Sequence, residues 1–366
     1  MKIIAKREAI LSPLQSVIGV VERKQTMPIL ANVLVSAKGG KLSITATDLE
    51  VELVATSDVD VQRGGEITIP GRKLLDICRA LPEGTEITLT QEGERMLIRA
   101  RKSRFTLSTL PAAEFPTVEE INAEQTLQLA QKDFKRLLDK THFSMAQQDV
   151  RYYLNGLLLE TSAKMLRAVA TDGHRLALCE VELPQGGKAG QQVIVPRKGV
   201  LELQRILGNE DQTLAVSIGS NHLRVQIGEI RFTSKLIDGR FPEYSRVIPA
   251  TPPKTVGAVR DDLRQALQRA AILSNEKYRG IRFALKPNAL MIQAHNPEQE
   301  EAEEEVEVAY DGEELEIGFN VNYLLDALAA VDGADVQVGL TDGNSSCLIR
   351  AAQDGSARYV VMPMRL

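Results

Sequence analysis

The chain has 366 residues, 43% hydrophobic and 25% charged, with no Trp and 4% aromatic residues, so it has material for two or three aliphatic cores. Its net charge of −5 excludes a protein that is basic all over, but leaves room for a local basic surface. No run approaches about 18 uncharged apolar residues, and Lys6, Arg7 and Glu8 interrupt any leader-like start, so neither a transmembrane helix nor a signal peptide is expected.

The first predicted element is a helix with Ile10, Leu14, Val17, Ile18 and Val21 on one face. Alternating strands follow, with Leu42, Ile44 and Ala46 and then Val51 and Leu53 facing one way. A second amphipathic helix carries Leu74, Leu75, Cys78 and Leu81, and further strands turn at Glu92-Gly93. The pattern then restarts with a helix bearing Phe134, Leu137, Leu138 and Thr141, and again with Leu263, Leu267, Ala270 and Ala271. A last helix carries Leu324, Ala327, Leu328 and Val331, with turn signals at Gly219-Ser220-Asn221 and Asp342-Gly343-Asn344.

The text repeats along with the pattern. LSITATDLEVELV from 42 returns as LRAVATDGHRLAL from 166 and LMIQAHNPEQEEA from 290. TIPGRKLLDICRAL from 68 returns as IVPRKGVLELQRIL from 194 and GFNVNYLLDALAAV from 318. SRFTLSTLP from 103 returns as IRFTSKLID from 230 and ARYVVMPMR from 357. This offset is too long for a solenoid repeat and predicts three tandem copies of one α+β domain, two helices on antiparallel sheet in each. The copies are placed at 1–120, 121–250 and 251–366.

Charge is sorted among the copies: net zero in the first, +3 in the second and −8 in the third. Much of the acidity lies in EQEEAEEEVE from 298, whereas Arg95, Arg99, Arg101, Lys102 and Arg104 crowd the end of copy one. Three readings of the acidic run stay open: a solvated face, an edge matching the basic edge of another subunit, or a metal site lacking convergent ligands. Basic residues also recur on corresponding helices: Arg72, Lys73 and Arg79; Lys132, Lys135, Arg136 and Lys140; Arg197 and Arg205; Arg260 and Arg264. Any one of these reads as a solvated helix face; repeated, they suggest a surface for a polyanion bound without base readout.

Signatures of catalysis are missing. The four histidines show no zinc spacing, no CxxC occurs, and no Walker A loop or GxSxG elbow is present. Neither an enzyme nor a cofactor is expected. Cys78, Cys179 and Cys347 are far apart and odd in number, which fits buried reduced thiols in a cytoplasmic protein.

Several longer stretches carry a family resemblance: PILANVLV from 28, ATDLE from 46, SMAQQDVRYYLNG from 144, TDGHRLAL from 171, TSKLIDGRFPEY from 233, ILSNEKYRGIR from 272 and the terminal YVVMPMRL. From end to end the chain resembles the beta subunits of bacterial DNA polymerase III, the sliding clamps. The resemblance implies the DNA clamp fold assembled as a head-to-tail homodimeric ring, with helices lining the hole. It further implies that the ring encircles double-stranded DNA without sequence preference and is opened by a separate clamp loader. The replicative DNA polymerase and other polymerases or repair proteins would dock through short linear motifs.

By the same resemblance, Lys24, Arg72, Gln148, Tyr152 and Tyr153 match DNA contacts, Lys24 standing where arginine is frequent. From their residue types alone, Tyr152 and Tyr153 read rather as core or interface aromatics. Phe105 and Leu107 match an apolar subunit patch facing Ile272 and Leu273. A client-peptide pocket is implied at Leu154, Thr171, Gly173, His174, Arg175, Leu176, Pro242, Arg246, Val247, Asn320, Tyr323 and Ser346. The tail joins it with Val360, Val361, Met362, Pro363, Met364, Arg365 and Leu366. Tyr278 and Asn344 are polar departures near its rim.

Overall fold

The computed structural model describes residues 1–21, 27–118 and 121–365. They form two compact units, Met1–Lys132 with Lys198–Leu236, and Asp133–Arg197 with Ile237–Leu366. Six α-helices occur among the described residues: α1 (Arg7–Val17), α2 (Gly71–Ala80), α3 (Gln131–Asp139), α4 (Arg197–Ile206), α5 (Arg260–Ala271) and α6 (Val321–Ala330). Two fall in each copy of the repeat.

The expected apolar faces are the buried ones. Ile10, Leu14 and Val17 of α1, Phe134, Leu137 and Leu138 of α3, and Leu263, Leu267 and Ala270 of α5 are at most 2% exposed. Burial of each large side chain contributes about 1.5–3 kcal/mol. One difference appears at the end of α1, where the α-helix stops at Val17 and a 3-10 turn, Ile18–Val20, follows. The tighter winding rotates Ile18 off the apolar stripe and leaves it half-buried, while Val20 turns inward.

All strand pairings are antiparallel, and both eight-stranded sheets combine two copies of the repeat. In the first, Ile230–Lys235 of copy two pairs with Val51–Asp58 of copy one, Phe232 opposite Leu53. In the second, Ala357–Val361 of copy three pairs with Arg175–Glu182 of copy two, Tyr359 opposite Ala177. These seams are equivalent: each joins the last strand of one copy to the strand after the ATD-type turn of the copy before. A five-stranded sheet from copy one and a four-stranded sheet from copy three remain, with edge strands that include Ser103–Ser108 and Glu301–Glu307. These two edges are the third pair of seam strands, and among the described residues neither has a strand on its outer side.

The three cysteines are buried and free. Burial pushes the thiols of Cys78 and Cys347 up to about 12 and that of Cys179 to about 11, so they pack as apolar groups.

Candidate functional site

Beside the second seam the turn Thr171–Arg175 builds a rigid corner. Asp172 Oδ1 accepts from the backbone N–H groups of His174 (2.9 Å) and Arg175 (3.1 Å). Thr171 Oγ1 donates to the Arg175 carbonyl at 2.6 Å and accepts from Gly173 N–H at 3.1 Å. Gly173 sits at φ +89°, where a side chain is strained. The corner aims Arg175 into a set of partners: Nε to Asp172 Oδ2 at 3.1 Å, Nη2 to the Phe143 carbonyl at 2.8 Å, and Nη1 to Asp326. Its guanidinium also lies 4.6 Å from the centroid of the Tyr323 ring.

An apolar pocket of about 160 Å³ opens against this corner. Thr171, Gly173, Arg175 and Leu176 form one wall, Leu154 a second, Pro242 and Val247 a third, and Val360 with Met362 the last. Nine of the residues expected from the sequence thus converge. Arg151 and Tyr244 also line the pocket and were not expected individually, although both lie inside the stretches DVRYYLNG and RFPEY that carried the resemblance.

His174 and Tyr323 lie just outside, stacked with centroids 6.5 Å apart, in a more polar cleft that shares Arg175 and includes Gln148. Asn320 caps α6, accepting from Asn322 N–H at 2.9 Å, and its amide reaches the Tyr278 carbonyl at 3.4 Å. Ser346 is half-buried beside the last sheet, whereas Val361 is 1% exposed and points into the core rather than the pocket. Exposed Arg246 pairs with Glu243 at 2.9 Å. The tail is pinned by two backbone bonds, Met362 N–H to the His174 carbonyl at 3.0 Å and Met364 N–H to the Gly318 carbonyl at 2.7 Å. Pro363 is half-buried and Arg365 exposed. Leu366 and Lys24 lie outside the described residues.

The segment before the pocket is held by its own ion pair. Asp149 accepts from Arg151 through the backbone N–H (2.8 Å), Nε (3.0 Å) and Nη2 (2.8 Å), which holds its carboxyl at about 2. Gln148 sits beside it at φ +58°, Tyr152 is 58% exposed, and Tyr153 packs edge-on to Tyr152 at 5.8 Å. In the other unit, half-buried Arg72 donates from Nη2 to the Val21 carbonyl at 2.5 Å.

The basic helix stripe needs correction. Arg136 pairs with Asp332 (3.1 Å) and Asp354 (3.0 Å) and touches Cys179 Sγ at 3.1 Å, while Lys140 pairs with Asp332 at 2.5 Å. Arg205 bonds the carbonyls of Gln15 and Ser16. These three cations hold elements together; the sequence spacing shows their helix face but not the carboxylates and carbonyls packed against it.

At the unpaired edges, Phe105 and Leu107 point to one side of Ser103–Ser108, half-buried. Arg99 stands directly opposite Arg104, and neither has an ion-pair partner among the described residues. On the acidic edge Glu301, Glu303, Glu305 and Glu307 project to one side, Glu303 accepting from Gln293 at 2.9 Å. Ile272 is 75% exposed just past α5, with Leu273 half-buried beside it. Among the described residues no group of three His, Cys, Asp or Glu could hold a metal ion. No helix among them is long and apolar enough to cross a membrane.

Three copies of one α+β unit, joined by two equivalent seams with a pocket beside the second, define a modular binding protein. Residues 1–119, 128–243 and 245–365 match models of the N-terminal, central and C-terminal domains of the DNA polymerase III beta subunit. The chain is 55% identical to the beta sliding clamp of Pseudomonas aeruginosa over 362 residues, 99% of each protein. It is 54% identical to that of Escherichia coli K12 over 367 residues, all of each. The crystal structure of the DNA polymerase III subunit beta from P. aeruginosa superposes with a TM-score of 0.98 at 54% identity, over all of both chains. The chain belongs to the beta subunits of bacterial DNA polymerase III, the sliding clamps of DNA replication.

Proposed function

We propose that two copies of this chain close head to tail into a ring around duplex DNA and tether the replicative polymerase to it, a processivity role without catalysis. The observation that carries the reading is the pair of unpartnered seam strands. Ser103–Ser108 is the copy-one equivalent of Ile230–Lys235 and Ala357–Val361; Glu301–Glu307 is the copy-three equivalent of Val51–Asp58 and Arg175–Glu182. An exposed edge of this kind is a template for strand pairing. Carrying over the register of the two internal seams sets Phe105 opposite Ala302, and Arg104 opposite Glu303, of a second copy. Ile272 and Leu273 supply the apolar complement to Phe105 and Leu107. Such a contact is heterologous and completes a ring of six domains.

Within that ring Lys24, Arg72, Gln148, Tyr152 and Tyr153 are proposed to meet DNA, and the domains divide at 1–120, 121–250 and 251–366. Phosphate contacts alone give dissociation constants of roughly 10⁻⁴–10⁻⁶ M, weak enough to permit sliding. Retention is then topological, and loading requires a separate clamp loader. The pocket takes short linear motifs of polymerases and repair proteins: its walls are apolar and preformed, and Met362 can adapt to different side chains. A cytoplasmic setting agrees with the buried free thiols.

The decisive experiment loads the ring on nicked circular DNA and washes it in high salt. Retention on circles with loss on linearisation is expected; equal loss from both forms would sink the topological mechanism.

A further inference from the structure

On the sheet face behind the pocket, five side chains on five adjacent strands form a row. Gln192, Glu160, Arg167 and Glu180 stand directly opposite one another in the ladder, and Arg358 follows diagonally. Their side chains join: Gln192 Nε2 to Glu160 Oε1 at 2.6 Å, Arg167 Nη1 to Glu160 Oε2 at 2.8 Å, Arg167 Nε to Glu180 Oε1 at 2.6 Å, and Arg358 to Glu180 at 3.1 Å. One step along the same strands, the face turns apolar, with Ile194, Leu158, Val169 and Leu178 in a single buried cluster.

Tyr244 spans both zones. Its ring belongs to the apolar cluster and lines the pocket, while its hydroxyl donates to Glu160 Oε2 and accepts from Arg167 Nη1 at 2.6 Å. Arg167 also lies 5.9 Å from the ring centroid. Burial works against the Glu160 carboxylate, yet hydrogen bonds from Tyr244, Gln192 and Arg167 hold it below the usual range. Burial and the Glu160 acceptor push the Tyr244 phenol up to about 12, so it stays a donor at neutral pH. Tyr244 opens the short 3-10 turn Tyr244–Arg246, with Pro242 two residues before it and Val247 directly after.

We propose that Glu160, Arg167 and Tyr244 are positioning residues of the peptide pocket: the charged row fixes the phenol, and the phenol fixes the wall that carries Pro242 and Val247. The inference rests on the pocket reading above. Copy one supplies an internal control. The equivalent row there is Glu66, Ser36, Ser43 and Thr56, paired in the same order but with hydroxyls in place of the central charges. The residue at the place of Tyr244 is Val118, and no phenol needs anchoring. The charged row thus accompanies the phenol and the pocket. A row of four half-buried partners is better suited to fixing one geometry than to adding stability.

The test measures binding of a fluorescein-labelled heptapeptide with adjacent leucine and phenylalanine side chains by anisotropy, on the intact ring. Tyr244→Phe keeps the ring in its cluster and is expected to weaken binding about tenfold, with unchanged dimer mass in sedimentation. Arg167→Met is expected to weaken it similarly, Arg167→Lys to regain at least half of the lost affinity, and the Tyr244→Phe, Arg167→Met pair to bind no worse than either alone. Undiminished binding by Tyr244→Phe, or full additivity of the pair, overturns the proposal. Failure of the unsubstituted chain to bind the peptide would instead overturn the pocket reading, and this proposal with it.

Discussion

The two internal seams begin from the same corner and end in different surfaces. At the first, Thr47 Oγ1 donates to the Val51 carbonyl at 2.9 Å, and Asp48 Oδ1 accepts from Glu50 (2.9 Å) and Val51 (2.7 Å) N–H groups. At the second, Thr171 and Asp172 make the same bonds to Arg175 and His174. The left-handed position holds Leu49 at φ +78° in one and Gly173 at φ +89° in the other. Lys198 reaches across to Asp48 at the first seam, whereas Asp172 is engaged by its own neighbour Arg175. Glu52, 3% exposed and accepting from Val118 N–H at 3.0 Å, stands where Leu176 lines the pocket. The backbone frame is thus shared, and three side-chain contrasts set the corner beside the apolar pocket apart from its copy-one equivalent.

That contrast can be broken at its strongest point first. Deleting residues 362–366 strips Met362 from one wall of the pocket and leaves only Val360 there, and peptide binding by anisotropy is expected to vanish while dimer mass stays unchanged in sedimentation; surviving affinity would falsify the pocket assignment. Next, Gly173→Leu copies the first seam into the second. Its Cβ would meet Arg151 Nη2 at 3.0 Å, and a leucine in the left-handed region costs about 1–2 kcal/mol. Peptide affinity is expected to fall about tenfold, with a lowered thermal midpoint. The smallest effect is expected for the converse change, Leu49→Gly. Relief of the same strain, offset by the chain entropy of glycine, leaves a net stabilisation of roughly 0.5 kcal/mol by urea titration. A destabilised Leu49→Gly would mean that the half-exposed leucine contributes more by packing than it loses in backbone strain.

Much of this was legible in the sequence because it is repeated. The ATD-type corners and the 3.6-residue spacing of Phe134, Leu137 and Leu138 are local signals, and local signals appear in the chain as written. What escaped is long-range. Nothing in the spacing of Arg136 and Lys140 announces Asp332 and Asp354, 192 to 218 residues away, so two cations that bind the protein to itself read as free. Tyr244 escaped individually for the same reason, since its partners Glu160 and Arg167 lie on two other strands. The register of the seams was hidden as well, although the repeated SRFT-type strands held the clue to which strands would meet.

The opposition of Arg99 to Arg104 on one edge, and the row of glutamates on the other, has a geometric consequence. Two basic edges repel, as do two acidic ones, so copies can join only by unlike ends. Two subunits joined in that way are related by rotation about the axis of the hole, never by a flip. The proposed ring would therefore have a front and a back, with both copies of the pocket opening on the same side. A polymerase and a repair protein held at once would sit shoulder to shoulder, facing the same direction along the DNA.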